Sequence, residues 1–337
     1  VAARAGVSIA TVSRVLRGNA PVAAATRDRV IAAADALSWR PSRLARAFVE
    51  QSHGAVGIVF PDLGGPYYSR VIAGFEDAAA ERGWAVLILA AHGRPNADEL
   101  VCDLADRVDG LVVMGSTVGD DVVESLAARR LPLVVLARPP VGDVPAVRAR
   151  NTATAAALTE HVLGHDRRRL AFVGDPARSP DVNERWFGVR RAARGRADVT
   201  LIPVDGFDVE HGYKAGLDLV TGGGIDAAVC ANDEIAIGVI NAAVTAGHTV
   251  PGSLVVTGWD DTPIAERFHP PLTTVRQPLH DLGTRAAHVL FDRVEARPAA
   301  SVLLGTSVVV RQSCGCAATD ATTVSTATSR RTRKGTR

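Results

Sequence analysis

Residues 6–16 read Gly-Val-Ser-Ile-Ala-Thr-Val-Ser-Arg-Val-Leu, a glycine turn followed by a short amphipathic helix. Ser8 is placed to cap that helix by accepting a backbone N–H, and Val12, Val15 and Leu16 fall at the i, i+3, i+4 spacing of a buried stripe. The opposite face holds Ile9, Ala10, Thr11, Ser13 and Arg14, with Arg17 at the helix end. A guanidinium can fork onto guanine O6 and N7, hydroxyls can hold phosphate oxygens, and small apolar groups can meet a thymine methyl. The pattern predicts the turn and second helix of a helix-turn-helix, with the major groove as its ligand.

A capped helix after a glycine is common by itself, so the flanking sequence carries weight. Thr26 to Leu37 predict a third helix opened by a Thr cap, with Val30, Ile31, Ala34 and Leu37 turned inward. Arg40-Pro41-Ser42 then breaks the chain, because Pro disfavours helix in the residue before it and suits a helix start. Arg43 to Val49 predict a short fourth helix. Only Val1 to Ala5 precede the glycine turn, too few for a well-packed first helix. From this we expect an upstream start, and weak DNA binding by the chain as written.

The net charge of +2 conceals an asymmetry. Residues 1–52 carry eight Arg against Asp28, Asp35 and Glu50, a balance of +5, and residues from 317 onward carry +4, leaving −7 for the body. Basic charge gathered on a small terminal module beside an acidic body fits phosphate attraction by the module. The final stretch, 317–337, is rich in Ala, Thr, Ser and Arg and is expected to be a disordered basic tail.

No run of about eighteen apolar residues occurs, and no basic-then-apolar segment opens the chain, so a membrane or secreted role is not expected and a cytoplasmic location is. Cys102 and Cys230 fall in apolar patterns as small hydrophobes. Cys314 and Cys316 form a lone Cys-x-Cys without a second Cys or His pair at metal spacing, so no metal or redox cofactor is implied.

From residue 55 the pattern changes to short apolar runs alternating with helical stretches. Ala55 to Phe60, Ala85 to Ala90, Leu111 to Met114 and Leu133 to Ala137 predict strands, with helices near 68–82, 96–106 and 120–130. The series repeats with Leu170 to Val173, Val199 to Val204, Ala227 to Cys230 and Leu254 to Thr257, and helices near 183–194, 208–220, 233–246 and 279–295. Such strands imply parallel sheets buried on both faces, and two α/β units in tandem leave a cleft at the carboxyl ends of their strands. The fold expected is a small all-α helix-turn-helix domain followed by a bilobed α/β domain.

Taken together, Ala5-Gly6-Val7-Ser8, Thr11 to Leu16, Arg40-Pro41-Ser42, Leu44-Ala45-Arg46, Pro66-Tyr67-Tyr68, Asp109-Gly110-Leu111, Ala231-Asn232-Asp233, Gly258-Trp259-Asp260-Asp261 and Pro271-Leu272-Thr273-Thr274-Val275 resemble, in order and over nearly the whole chain, the LacI/GalR family of transcription regulators. The resemblance implies two Rossmann-like lobes of the periplasmic-binding-protein type and a homodimeric repressor on a near-palindromic operator. It implies a small-molecule effector, sugar or nucleoside-like, between the lobes. The implied boundaries are 1–39 for the DNA-binding domain, 40–54 for a hinge helix and linker, and 55–316 for the effector domain. Within the last, lobe one takes 55–150 and 278–298, and lobe two takes 151–277 and 299–316.

By the same resemblance, the hinge helix would place Arg46, Ala47 and Phe48 in the minor groove, Phe48 standing where a Leu usually wedges between base pairs. Effector-binding candidates are Tyr67, Tyr68, Arg178, Arg185, Phe207, Asn232 and Asp260, a mixture able to hydrogen-bond hydroxyls and stack a ring. Each also has a plainer reading: the aromatics as core, Asn232 as a helix cap, either Arg as a surface ion pair. The chain departs from the family at Arg150, where an Asp is usual, and at Gly164-His165, which is followed by Asp166 and three Arg.

Two other classes stay open at this point. An enzyme on such a fold would need a phosphate-gripping glycine loop or a Gly-x-Ser-x-Gly elbow, and neither motif occurs. A bilobed binding protein without DNA-binding activity would share the body but leave the basic N-terminal module unexplained.

Overall fold

A computed structural model describes residues 1–17, 21–39, 52–91, 94–317 and 323–325. The chain divides into two compact units, Val1–Gly54 and Ala55–Arg337. Arg46, Ala47 and Phe48 of the expected hinge helix lie outside the described residues, as does the side chain of Arg17.

In the first unit the described residues form α1 (Ala2–Ala5), α2 (Ile9–Arg17) and α3 (Ala24–Asp35). They close around Ala5, Val12, Val15, Val30 and Ala33, with Val7 and Leu16 at the margin. α1 stops because Gly6 adopts φ 65, which lets the Val7 N–H return to the Ala2 carbonyl and the Gly6 N–H to that of Ala3; a left-handed glycine makes this helix end without a Cβ clash. Ser8 Oγ accepts the Thr11 N–H at 3.2 Å, the cap expected. α3, however, starts at Ala24 with no side-chain cap bond, so Thr26 lies within its first turn. Ile31 and Leu37 are exposed, and the buried stripe is Val30, Ala33 and Ala34, the narrow i, i+3, i+4 set that two short neighbours can cover.

The second unit opens with β1 (Ala55–Phe60), α4 (Gly65–Ala80), β2 (Ala85–Ala90), α5 (Ala97–Ala105), β3 (Leu111–Met114), α6 (Asp120–Ala128), β4 (Leu133–Leu136) and β5 (Ala146–Ala149). After α7 (Thr152–Leu163) come β6 (Arg169–Val173), α8 (Pro180–Ala193), β7 (Asp198–Ile202), α9 (Val209–Gly222), β8 (Ala227–Cys230), α10 (Asp233–Thr245), β9 (Val255–Thr257) and α11 (Pro263–Arg267). Then follow β10 (Thr274–Arg276), α12 (Leu279–Val294), β11 (Val302–Leu304), β12 (Ser307–Val309) and β13 (Thr323–Ser325).

One parallel sheet runs β11-β5-β4-β3-β1-β2 and another β7-β6-β8-β9, while β10, β12 and β13 form an antiparallel ladder. β1, β3 and β4 are buried throughout, as helices on both faces require, and edge strand β2 is half-buried. Trp259, Phe172 and Val229 lie in the core of the second lobe.

The return to lobe two differs from the expectation. Residues 299–304 stay with lobe one, because Val302, Leu303 and Leu304 pair in parallel with Val147, Arg148 and Ala149, satisfying backbone groups that the β5 edge would otherwise leave open. The crossing follows Leu304, and β12 pairs with β10. α12 reaches lobe one from the other direction and packs on α4 through glycine. A Cβ on Gly74 would lie 2.0 Å from the His280 carbonyl oxygen, and one on Gly283 would lie 2.0 Å from that of Val71. The two helices therefore meet backbone to backbone.

The cysteines bring a second correction. Cys314 and Cys316 do have a His pair beside them, since His161 on α7 and His165 just beyond it face the Cys-x-Cys. Among the described residues no helix is long and apolar enough to cross a membrane.

Candidate functional site

In the first unit α2 presents Ile9, Ala10 and Arg14 to solvent, Ile9 80% exposed. An isoleucine held that far out of a core is available to a partner surface. Ser8 is also exposed, Thr11 and Ser13 are half-buried, and the Ser8 and Thr11 hydroxyls lie 3.0 Å apart. Apolar methyls, hydroxyls and a guanidinium on one helical face match what the major groove offers.

In the second unit the candidate residues gather where strands end. β1 leads through Asp62 to Tyr67 and Tyr68 in the first turns of α4. β6 leads to α8 and Arg185, β8 to Asn232, and β9 to Trp259 and Asp260. The lobes approach closely here: a Cβ on Gly65 of lobe one, whose φ is 79, would sit 2.3 Å from Glu234 Oε2 of lobe two.

Arg185 is the centre of the arrangement, buried to 5% exposure. Its Nε donates to Asn151 Oδ1 at 3.0 Å, and Nη1 donates to the Ala231 carbonyl at 2.6 Å. Nη2 stands 3.8 Å from Asp181 Oδ2, and the guanidinium lies over the Trp259 ring at 4.6 Å. A buried guanidinium needs such partners to offset desolvation.

Two carboxyls, Asp181 and Asp260, feel this cation, and a third, Asp233, lies beside Asp260. Burial pushes the Asp181 carboxyl up to about 6, with Arg185 opposing the rise. Asp260 is held well above the usual carboxylate range, chiefly by burial, with Arg185 again opposing and Asp233 adding. Its Oδ1 accepts from Gln277 Nε2 at 2.6 Å, and its φ of 116 is a conformation that the loop must enforce. Asp233 supplies that enforcement. Its carboxylate accepts the Thr262 N–H and hydroxyl at 2.8 and 2.9 Å and the Thr274 hydroxyl at 2.6 Å, pinning the 258–262 loop to β10. Burial raises Asp233 as well.

The two tyrosines complete one wall. Tyr67 and Tyr68 meet edge to face at 5.3 Å, and Tyr68 meets Phe60 at 5.7 Å. Burial raises both phenols. Tyr67 also feels Asp181, Asp260 and Arg185, and Tyr68 feels Asp62, Asp260 and Glu234, so aromatic rings from lobe one stand over the charged set of lobe two.

Tyr67, Tyr68, Arg185 and Asp260 are thus brought together. Asn232 is committed to structure: its Oδ1 caps α10 by accepting the Ile235 N–H at 2.9 Å, and its Nδ2 donates to the Phe207 carbonyl at 2.7 Å. The Phe207 ring packs half-buried against the lobe-two core. Arg178 is not brought into the group. It pairs at the surface with Asp205 at 2.8 Å and Asp175 at 3.4 Å.

Asp181, Asn151, Trp259 and Gln277 were not singled out from sequence. Asp181 does carry a signal, since Asp at i−4 of an inward Arg on one helix is a pairing distance. Trp259 Nε1 and Gln277 Oε1 are buried without a hydrogen-bond partner, leaving one donor and one acceptor unused beside Arg185 and Asp260. A cleft of about 430 Å³, lined by Arg70, Asp260, Arg276, Gln277 and Gly305 among others, adjoins this group through Asp260 and Gln277, while Arg185, Trp259 and the two tyrosines do not line it. Donors, acceptors and aromatic rings where two lobes meet, with a cleft beside them, define a small-molecule binding protein that carries a helix-turn-helix module.

Comparison with known proteins agrees. Residues 1–42 match the model for bacterial regulatory proteins of the lacI family, and residues 159–314 match that for the periplasmic binding protein-like domain. The chain is 33% identical over 316 residues to the HTH-type transcriptional regulator MalR of Streptomyces coelicolor, covering 89% of this chain and 90% of that one. The lac repressor dimer bound to operator and the anti-inducer ONPF superposes with a TM-score of 0.82 at 25% identity, over 93% of this chain and 97% of that one. The complex of the transcriptional regulator CelR with cellobiose gives 0.70 at 27% identity, over 93% and 98%. The chain belongs to the LacI family of bacterial regulatory proteins.

Proposed function

We propose that this protein is a sequence-specific DNA-binding repressor whose operator affinity is set by a small carbohydrate held between its two lobes. The observation that carries the reading is the buried Arg185, with Asp181 and Asp260 as its acidic neighbours, the Trp259 ring against its guanidinium, and Tyr67 of the other lobe within its field. Carboxylates and a guanidinium suit vicinal hydroxyls, and aromatic faces suit the C–H faces of a sugar ring. Cellobiose in the CelR complex is a ligand of this chemistry. A nucleoside-like ligand would use the same rings for its base and the same carboxyls for its ribose. The role is binding rather than turnover, in line with relatives that are transcription regulators.

The protein acts as a homodimer on a near-palindromic operator, within the cytoplasm and on the nucleoid, since a two-fold reader matches a two-fold site. Ser8, Ile9, Ala10, Thr11, Ser13, Arg14 and Arg17 would face the major groove, with Arg46, Ala47 and Phe48 at the minor groove. A ligand that prefers the DNA-competent lobe arrangement acts as corepressor, and one that prefers the other acts as inducer.

Selection of operators from a random duplex library, with and without a panel of mono- and disaccharides and nucleosides, tests this. An enriched inverted repeat whose affinity shifts with a sugar is the expected result. No enrichment by folded, dimeric protein would overturn the DNA-binding reading, and a shift with nucleosides alone would replace the ligand class.

A further inference from the structure

Away from the cleft, four metal-ligating side chains converge on the second lobe. His161, in the last turn of α7, and His165, four residues on, project to one side of the chain as i, i+4 neighbours do. Facing them, the segment after β12 turns at Gly315, whose φ of 104 favours glycine, and presents Cys314 and Cys316 together. The four donor atoms all lie within 4.8 Å of one another.

The individual separations are more telling than the cluster. His161 Nε2 is 3.3 Å from Cys314 Sγ, 3.8 Å from Cys316 Sγ and 3.4 Å from His165 Nε2, and His165 Nε2 is 3.5 Å from Cys316 Sγ. A tetrahedral zinc with nitrogen at about 2.0–2.1 Å and sulfur at about 2.3 Å would set its nitrogens about 3.4 Å apart and each nitrogen about 3.6 Å from each sulfur. These four separations are close to four of the six edges of that tetrahedron, and the other two pairs lie within 4.8 Å. The imidazole planes cross at 78°, so the rings do not stack.

The surroundings hold the ligands in place. Thr273 Oγ1 donates to Cys314 Sγ at 3.1 Å, a bond that a thiolate accepts well. The Gln312 and Ser313 N–H groups both reach the Pro271 carbonyl at 3.0 Å, and Ser313 Oγ donates to the Val256 carbonyl at 2.6 Å. Cys314 is buried, while Cys316 and both His are half-buried, which leaves an entry path.

We propose that His161, His165, Cys314 and Cys316 form a structural zinc site of the Cys₂His₂ type. Four protein ligands close the coordination sphere, the mark of a structural site as opposed to a catalytic one. Two thiolates with two imidazoles select zinc among the available divalent ions by donor softness and tetrahedral geometry. Zn²⁺ enters as each thiol gives its proton to solvent, with no electron transferred. The metal ties residues 312–316 to α7, and so braces the β10–β12 ladder from outside the effector cleft.

The test is metal analysis by plasma mass spectrometry on untagged protein purified with its thiols reduced, before and after incubation with zinc chloride. One zinc per chain is expected. Cys316→Ser and His165→Ala, both at half-buried positions, should each lower bound zinc about tenfold or more while leaving far-UV circular dichroism unchanged. Cobalt in place of zinc should give the intense visible bands of a tetrahedral, sulfur-ligated ion, lost in Cys316→Ser. A chelator should lower the Tm of the parent and not of the variants. Zinc absent after reconstitution, zinc content equal in parent and both variants, copper or iron in its place, or a six-coordinate cobalt spectrum would each overturn the proposal.

Discussion

The guanidinium of Arg185 lies over the indole of Trp259, 4.6 Å from the ring centroid, and through Nε and Nη1 it also links Asn151 to the Ala231 carbonyl. One side chain therefore joins the start of α7, the end of β8 and the loop after β9. Arg185→Lys keeps the charge but loses the planar fork and the stacking. Losing hydrogen bonds to a charged group predicts a fall in effector affinity of about 10–100-fold, read by isothermal titration. An unchanged Kd would remove Arg185 from the site.

Asp181 makes stability depend on pH in an unusual direction. Its carboxyl stands at about 6 in the folded protein against an ordinary 3.8, because burial disfavours the charge. Between those values the folded chain keeps a proton that the unfolded chain releases, so stability is greatest below the interval, falls as pH rises through it and levels off above. A shift of this size corresponds to at most about 3 kcal/mol. Urea titrations across pH 4–6 should show the decline, and Asp181→Asn should flatten it, leaving the part that belongs to Asp233 and Asp260. A parent protein that gains stability over the same interval would contradict the assignment.

The contact between α4 and α12 has no room for a side chain. Gly283→Ala would drive a Cβ into the Val71 carbonyl, and the overpacking should cost about 1–3 kcal/mol. Equilibrium denaturation measures it. Ala at Gly222, where a Cβ would meet nothing within 4 Å, is the control and should lie close to the parent.

Phe48→Ala addresses the expected hinge wedge. Unstacking a base step with an apolar ring trades a few kcal/mol for a bent duplex, so the variant should lose about tenfold or more in operator affinity along with the bend. Circular-permutation gel mobility reads the bend. Full bending by the variant would mean that Phe48 does not enter the duplex.

Legibility in the sequence followed burial. β1, β3 and β8 lie under helices on both faces and show as unbroken apolar runs, readable to the residue. β5 is Ala-Val-Arg-Ala, with Arg148 turned to Glu184 at 2.7 Å, too short and too mixed to stand out. β11 exists only as a partner of β5, a relation between residues 150 or more apart that no local pattern encodes. α7 is rich in Ala and Thr and buried over most of its length, so it lacks the polar face by which a helix is recognised. At the cleft, motifs drew attention to Tyr67, Arg185 and Asp260. Asp181 went unnoticed because its role lies in burial, and burial arises from tertiary packing. The His161 and His165 pair was missed for a related reason: its sulfur partners lie about 150 residues away in sequence.

The chain crosses between lobes after β5, after β10 and after β11, and two of these crossings are fastened together. Thr306 Oγ1 donates to the Arg150 carbonyl at 2.6 Å and lies 2.7 Å from Thr154 Oγ1, while the Arg150 N–H reaches the Leu304 carbonyl at 2.9 Å. Strips clamped side by side act as a flexure: they bend readily about the line that joins them and resist torsion across it. A molecule seated in the cleft would thus steer the lobes along a single angular path, and the protein would report occupancy as the position of a lever with one degree of freedom.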